Sequence, residues 1–342
     1  GYFNLVKILE LTLNNGFDRR TGKQVGLQTG SPAVFRTFDD LIGAFRRQVN
    51  YFADIKIRGN NVISRIFEKW LPVPFLSLLV EDCIKNGKDY NCGGTRYNTT
   101  YIQGVGLGSI TDMLTSIRYN IYDKGRYSWN EILTAMEADF EGYDELRYDL
   151  VYNTPKYGND DDYADQQAVT VFEIYYDAVN GRPASRGGVH RINMLPTTSH
   201  VYFGSVTGAG ADGRKAFTPL SEGISPFQGA DSQGPTAVIR SASRIDHLRT
   251  GGTLLNQKFS PQFFEDEDSY RNLTALIRGY FSLDGHHIQF IVVNAETLRE
   301  AQKHPELHRD LIVRVAGYSD YFNDLGEDLQ NEIIRRTEHG EM

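Results

Sequence analysis

The chain has 342 residues, 40% hydrophobic and 23% charged, enough to bury a substantial core as an ordinary globular protein, and its length allows roughly two domains. Its net charge of −8, with no basic run or basic amphipathic helix, argues against a nucleic-acid surface. No signal peptide and no apolar stretch long enough for a bilayer is legible, and two cysteines without CxxC spacing, Cys83 and Cys92, cannot form a disulfide framework. The expected location is therefore a reducing cytoplasm, with no membrane and no nucleic-acid partner.

The chain opens Gly1-Tyr2-Phe3-Asn4-Leu5 and enters an amphipathic helix almost at once, from Phe3 to Leu13, with Leu5, Leu9 and Leu13 facing the core. Such a start, without methionine, is expected of the C-terminal part of a longer protein. Asn14-Asn15-Gly16 stops the helix with residues that accept the left-handed conformation. Thr37-Phe38-Asp39-Asp40 then caps a long helix to Trp70, in which Leu41, Phe45, Val49 and Phe52 recur at helical spacing and Gly59 is a point of bending. Pro72 and Pro74 break it. A further helix carries Leu76, Leu79 and Val80 toward Cys83 and ends at Gly87.

Asn91 to Asn98 and Gln103 to Ser109 read as two glycine-rich turns. The second lacks the lysine of a phosphate loop and the third glycine of a dinucleotide fingerprint, so close approach of backbone to a pocket is the better reading. Helices follow over Ser109–Tyr122 and Ser128–Phe140, the latter opened by the capping box Ser128-Trp129-Asn130-Glu131. The acidic run Asp160-Asp161-Asp162 lacks the glycine and distal glutamate of an EF-hand, and is read instead as carboxylates favoured at a helix N-terminus. From Arg186 the chain turns glycine-rich and extended. His190 to Gly204 reads as one or two short strands around Pro196, and Ile288 to Val293 as an apolar strand buried on both faces. His286-His287 lacks a second ligand pair, so hydrogen-bonded core histidines are preferred to a metal site. Helices alternating with short buried strands make an α/β protein.

Near the C-terminus, Leu311, Ile312, Val313 and Val315 form a short apolar strand, and Leu325, Leu329 and Ile333 mark a helix with one apolar stripe. Between them stands Arg314-Val315-Ala316-Gly317-Tyr318-Ser319-Asp320-Tyr321-Phe322. Alone, Gly317 reads as a turn glycine chosen for positive φ. With its neighbours, the stretch resembles the signature of the glycyl radical enzymes, the pyruvate formate-lyase-like family. Pro155-Lys156-Tyr157-Gly158-Asn159-Asp160, Met194-Leu195-Pro196-Thr197-Thr198 and Gly252-Thr253-Leu254-Leu255-Asn256-Gln257 resemble that family in order and spacing.

The resemblance covers essentially the whole chain. It implies the C-terminal part of a ten-stranded α/β barrel, built from two antiparallel five-stranded half-barrels inside a shell of helices, with residues 1–205 in the barrel domain and 206–342 a glycine radical domain. It implies that Gly317 loses a Cα hydrogen to a radical-SAM activating enzyme and stores an unpaired electron. Only glycine suits that role, because a Cβ would crowd the narrow barrel and restrict a loop that leaves it for activation and returns. No bound metal or nucleotide is implied, and a homodimer is expected.

Within the family the resemblance is to the trans-4-hydroxy-L-proline dehydratases, which adds Tyr2 and Thr197 as substrate-binding residues. The implied reaction forms 1-pyrroline-5-carboxylate and water. A thiyl formed by Gly317 abstracts hydrogen from the carbon next to nitrogen, and a carboxyl acid/base helps the hydroxyl leave. The Gly-Cys-Val-Glu motif that carries this cysteine and glutamate in the family is not among these 342 residues. Cys83 and Cys92 are read as small buried thiols. The thiol and the glutamate are thus expected in a missing N-terminal part, and the chain alone is expected to be inactive. An arylacetate decarboxylase, a diol dehydratase, a C–S lyase or a non-enzymatic spare-part radical domain are the other readings.

Overall fold

The computed structural model of the chain describes residues 1–339. Strands Tyr2–Asn4, Thr99–Val105 and Val189–Asn193 form one parallel sheet, with Gln103 between Tyr2 and Asn193 in register. Strands Leu255–Phe259 and Ile288–Val292 pair in parallel with Asn256 beside Gln289. A parallel bridge from Met194 to Thr253 joins the two sheets edge to edge. The result is five parallel strands in chain order. Glu338–His339 adds a short strand beside Lys258 and Phe259.

Parallel neighbours need long crossovers, and helices supply them. Leu5–Leu13 and Phe38–Trp70 link the first two strands, and Leu107–Ile117 and Asp162–Val179 the next two. Pro235–Ala242 precedes the fourth strand and Glu267–Ser282 the fifth. The capping box of Ser128 with Glu131 forms, and the cap at Thr37 is a second one, with Asp40. Asp161 caps Asp162–Val179, while Asp160 and Asp162 pair with Arg240 and Arg244, so the acidic run serves a helix start.

Leu107–Ile117 is buried along its whole length. Its polar residues find partners both within the helix and across the fold: Thr111 and Thr115 donate to carbonyls four residues back, and Ser109 and Ser221 each accept the other's backbone N–H. One apolar cluster runs from Phe3 to Tyr280 around these elements. A smaller one joins Ile291, Leu298, Val313, Val315, Phe322 and Ile333, tying the C-terminal hairpin and helix to the fifth strand.

Several local expectations change. Phe3 lies in a strand, and Asn4 caps the first helix by accepting from the Lys7 N–H, so that helix begins at Leu5. Gly104 sits inside Thr99–Val105 rather than in a turn, and glycine is needed there because a Cβ would lie 2.6 Å from Met194 Sδ and 2.9 Å from the Tyr175 ring. The helix after Pro74 is split into Pro74–Leu79 and Cys83–Asn86 by Asp82 at φ +73°. After Pro196 the chain forms a helix, Ser199–Ser205, rather than a second strand. His286 is exposed and His287 half-buried, so neither is a core histidine. Cys83 is buried and Cys92 only half-buried.

Candidate functional site around Gly317

Strands Ile312–Arg314 and Ser319–Tyr321 pair antiparallel, and Gly317 lies in the turn between them. Val315 N–H donates to the Tyr318 carbonyl at 2.9 Å to close the hairpin. Gly317 has φ +82°, in the left-handed region where a side chain is strained. A Cβ built on it would meet only Leu195 Cδ2, at 3.9 Å. Conformation, not lack of space, selects glycine in this chain, and neither cysteine approaches the tip.

Leu195 connects the other candidates. Its N–H donates to Gln103 Oε1 at 3.1 Å, and Gln103 pairs in register with Tyr2. Two residues on, Thr197 has φ +51°, unusual for a β-branched residue, and its hydroxyl donates to the Pro196 carbonyl at 2.7 Å. The turn that carries Thr197 therefore starts beside the glycine tip. The Tyr2 side chain is 43% exposed. Its backbone joins this assembly through Gln103, while the hydroxyl of Thr197 is engaged by the Pro196 carbonyl.

Beneath the tip lies a buried polar network. Gln289 Oε1 accepts from Gly317 N–H and from Arg314 Nε, each at 3.0 Å. Gln289 Nε2 donates to Asn256 Oδ1 on the neighbouring strand. Arg336 donates through Nη1 to the Val315 carbonyl at 2.8 Å, and its Nε and Nη2 grip Glu332 at 3.0 and 2.8 Å. Glu332 also accepts from Gln228 Nε2 and lies 3.4 Å from His200 Nε2. Burial alone would lift the Glu332 carboxyl, but Arg336 and then His200 hold it well below its ordinary range. Glu222 behaves oppositely. Burial, opposed by Arg336 and reinforced by the Glu332 charge, pushes it up to about 8. Of the two carboxyls beside Arg336, Glu332 is thus held toward the ionised form and Glu222 toward the protonated form.

The motif reading gave no role to Gln289, Glu332 or Arg336, nor to Asn256, although Asn256 lies in the family-like stretch 252–257. Gln289 was legible in principle, as the one polar residue of the run Ile288-Gln289-Phe290-Ile291-Val292, where a buried amide needs partners. Arg336 carried no such signal, because its partners depend on tertiary packing. Among the described residues, no group of three or more His, Cys, Asp or Glu side chains is placed to hold a metal ion, and no helix is long and apolar enough to cross a membrane.

Residues 1–204 match the family model "Pyruvate formate lyase-like", and residues 220–323 match "Glycine radical". The chain is 54% identical over 338 residues to the trans-4-hydroxy-L-proline dehydratase of Clostridioides difficile, covering 99% of this chain and 43% of that protein. It is 37% identical to the (2S)-3-sulfopropanediol dehydratase of Klebsiella oxytoca, covering 98% of this chain and 42% of the relative. The crystal structure of the C. difficile hydroxyproline dehydratase with trans-4-hydroxy-L-proline bound superimposes with a TM-score of 0.98 at 53% identity, over 100% of this chain and 43% of that one. The chain thus spans less than half the length of the relatives it matches. The α/β fold agrees with these matches, and the chain belongs to the pyruvate formate-lyase-like glycyl radical enzymes.

Proposed function

We propose that this chain carries the radical-storing glycine and part of the substrate pocket of a glycyl radical lyase that dehydrates trans-4-hydroxy-L-proline to 1-pyrroline-5-carboxylate. The observation that carries the reading is the Gly317 tip: a left-handed glycine, open at Cα, facing the segment that leads from Leu195 to Thr197. Activated Gly317 supplies hydrogen-atom transfer. This chain's own part is to hold the tip, shape the pocket wall at Leu195 and Thr197, and keep the Cα free of other side chains. The geometry fits that role, since among the described residues, its chain neighbours aside, the only heavy atom within 4 Å of the position of a Cβ belongs to the Leu195 methyl group. The hydroxyproline assignment is supported by identity, 54% to the hydroxyproline enzyme against 37% to the sulfopropanediol enzyme.

The reaction also needs a thiol beside Gly317 and a carboxyl acid/base. Cys83 and Cys92 pack elsewhere, Cys92 with its sulfur 4.0 Å from the Glu68 carbonyl. We assign both groups to residues outside these 342. A radical-SAM activating enzyme and a second copy of the protein are the partners of this reading, and the cytoplasm its location.

The test is an anaerobic assay of the protein expressed from its native reading frame and treated with a radical-SAM activase. A glycyl radical signal with pyrroline carboxylate formed from hydroxyproline is expected. Radical formation with turnover only of a diol, an arylacetate or a C–S substrate would move the assignment to another branch. Absence of a radical on Gly317 would overturn the reading as a whole.

A further inference from the structure

Because the space around Gly317 is nearly empty of side chains, its backbone contacts decide where the tip sits. Two residues from other elements make them. Gln289 takes the Gly317 N–H on Oε1 and reaches the Val315 carbonyl with Nε2 at 3.4 Å, while Arg336 takes the same carbonyl at 2.8 Å. Both residues are buried, at 5% and 7% exposure, and each is itself held: Gln289 by Arg314 and Asn256, Arg336 by Glu332. The Arg314 guanidinium shares the Gln289 oxygen with Gly317 and so fixes which end of the amide faces the tip.

We propose that Gln289 is a positioning residue for Gly317: its side-chain oxygen fixes the Gly317 peptide plane and, with Arg336 on the Val315 carbonyl, forms a clasp that must open before the tip can leave Leu195. The inference rests on Gly317 as the radical store. An electron at its Cα is shared with the flanking amide, so the partner of that N–H sets both the plane of the peptide and how far the spin spreads. The clasp acts through Gly317 and need not touch substrate. It also ties the tip to the fifth strand, so that the tip's position follows the barrel wall. Gln289→Glu keeps the acceptor and gives up the Nε2 donor, leaving the Val315 carbonyl to Arg336 while Asn256 can turn its amide nitrogen to the new oxygen; Gln289→Met keeps the length and removes both acceptor and donor.

Hydrogen exchange of the unactivated protein, read by mass spectrometry on a peptide covering residues 315–318, tests the clasp without needing the radical. Gln289→Met is expected to speed exchange at the tip by about tenfold or more, with Gln289→Glu close to the parent and the Leu255–Phe259 strand unchanged. Equal tip exchange in the parent and Gln289→Met overturns the proposal. Should Gln289→Met fail to fold, Arg314→Met, which withdraws the guanidinium from the same oxygen, must quicken the tip, and no change there overturns it equally. After activation, electron paramagnetic resonance should show an altered proton splitting and a shorter radical lifetime in Gln289→Met, restored in Gln289→Glu. Unaltered splitting and lifetime would sink the positioning role. A parent protein with no radical at all would instead sink the reading of Gly317, whatever the exchange rates show.

Discussion

Arg336 places Nη1 2.8 Å from the carbonyl of Val315, two residues before Gly317, while the rest of its guanidinium is committed to Glu332. The glycine hairpin is therefore anchored to an ion pair that lies wholly inside the protein. Such a pair gains stability only while both partners are present, since its attraction offsets the loss of hydration of two charges. Arg336→Met should cost about 3–5 kcal/mol by leaving Glu332 charged and buried. The double variant Arg336→Met with Glu332→Met should recover most of that loss. Urea unfolding at pH 7 reads both, and a double variant as unstable as the single one would refute the pairing.

Glu222 predicts a pH dependence with a definite sign. Its carboxyl is lifted to about 8 in the folded chain, against about 4.3 in an unfolded one. Between those values the folded state holds a proton that the unfolded state has lost, so its contribution to stability is complete below the unfolded value. It declines as pH rises toward 8 and is flat beyond. Glu222→Gln fixes the neutral form and should remove that part of the slope. Melting temperatures at pH 5, 6, 7 and 8 should show the variant gaining on the parent as pH rises. A difference that stays constant with pH would contradict the assignment.

Gly317→Ala separates space from conformation. Alanine fits, with its nearest neighbour at 3.9 Å, but φ +82° is costly for any residue with a Cβ. A loss of about 1–2 kcal/mol is expected, small enough for the hairpin to persist. Under the proposed function the radical signal should disappear while unactivated protein keeps its circular dichroism spectrum. A variant that still gives the parent's radical signal would place the radical elsewhere.

What the sequence disclosed follows from how local each signal is. The strand before Gly317, the turn glycine itself and the terminal helix were legible because an apolar run, an aromatic pair and a helix stripe lie within about twenty residues, the range over which pattern and turn chemistry operate, whereas the second strand of the hairpin, Ser319–Tyr321, was not. The caps at Thr37 and Ser128 were legible for the same reason. The strand Tyr2–Asn4 was not, since three residues show no period and its partner Gly104 lies far along the chain. Ser199–Ser205 was misread because a seven-residue helix with Val201, Tyr202 and Phe203 has strand-like composition, and its form is set by packing. The Gln289–Arg336 clasp depends on three elements meeting, which no short motif encodes.

Thr197 offers the sharpest test of the pocket. A threonine at φ +51° is held in a region that costs about 1–3 kcal/mol, and such strain persists only where the surroundings fix it. Here its hydroxyl binds the Pro196 carbonyl, and two residues earlier Leu195 is tied to Gln103. Thr197→Gly relieves the strain and removes the hydroxyl and methyl together, at the expense of a more flexible unfolded chain. Unfolding free energy should therefore change by less than about 1 kcal/mol. If the side chain meets substrate, KM for hydroxyproline should rise while the radical yield at Gly317 stays at the parent's level. Thr197→Ser keeps the hydroxyl and should restore much of the affinity. An unchanged KM in Thr197→Gly would mean that the turn is strained only to bring Leu195 against the glycine tip, and Thr197 would leave the substrate-binding set.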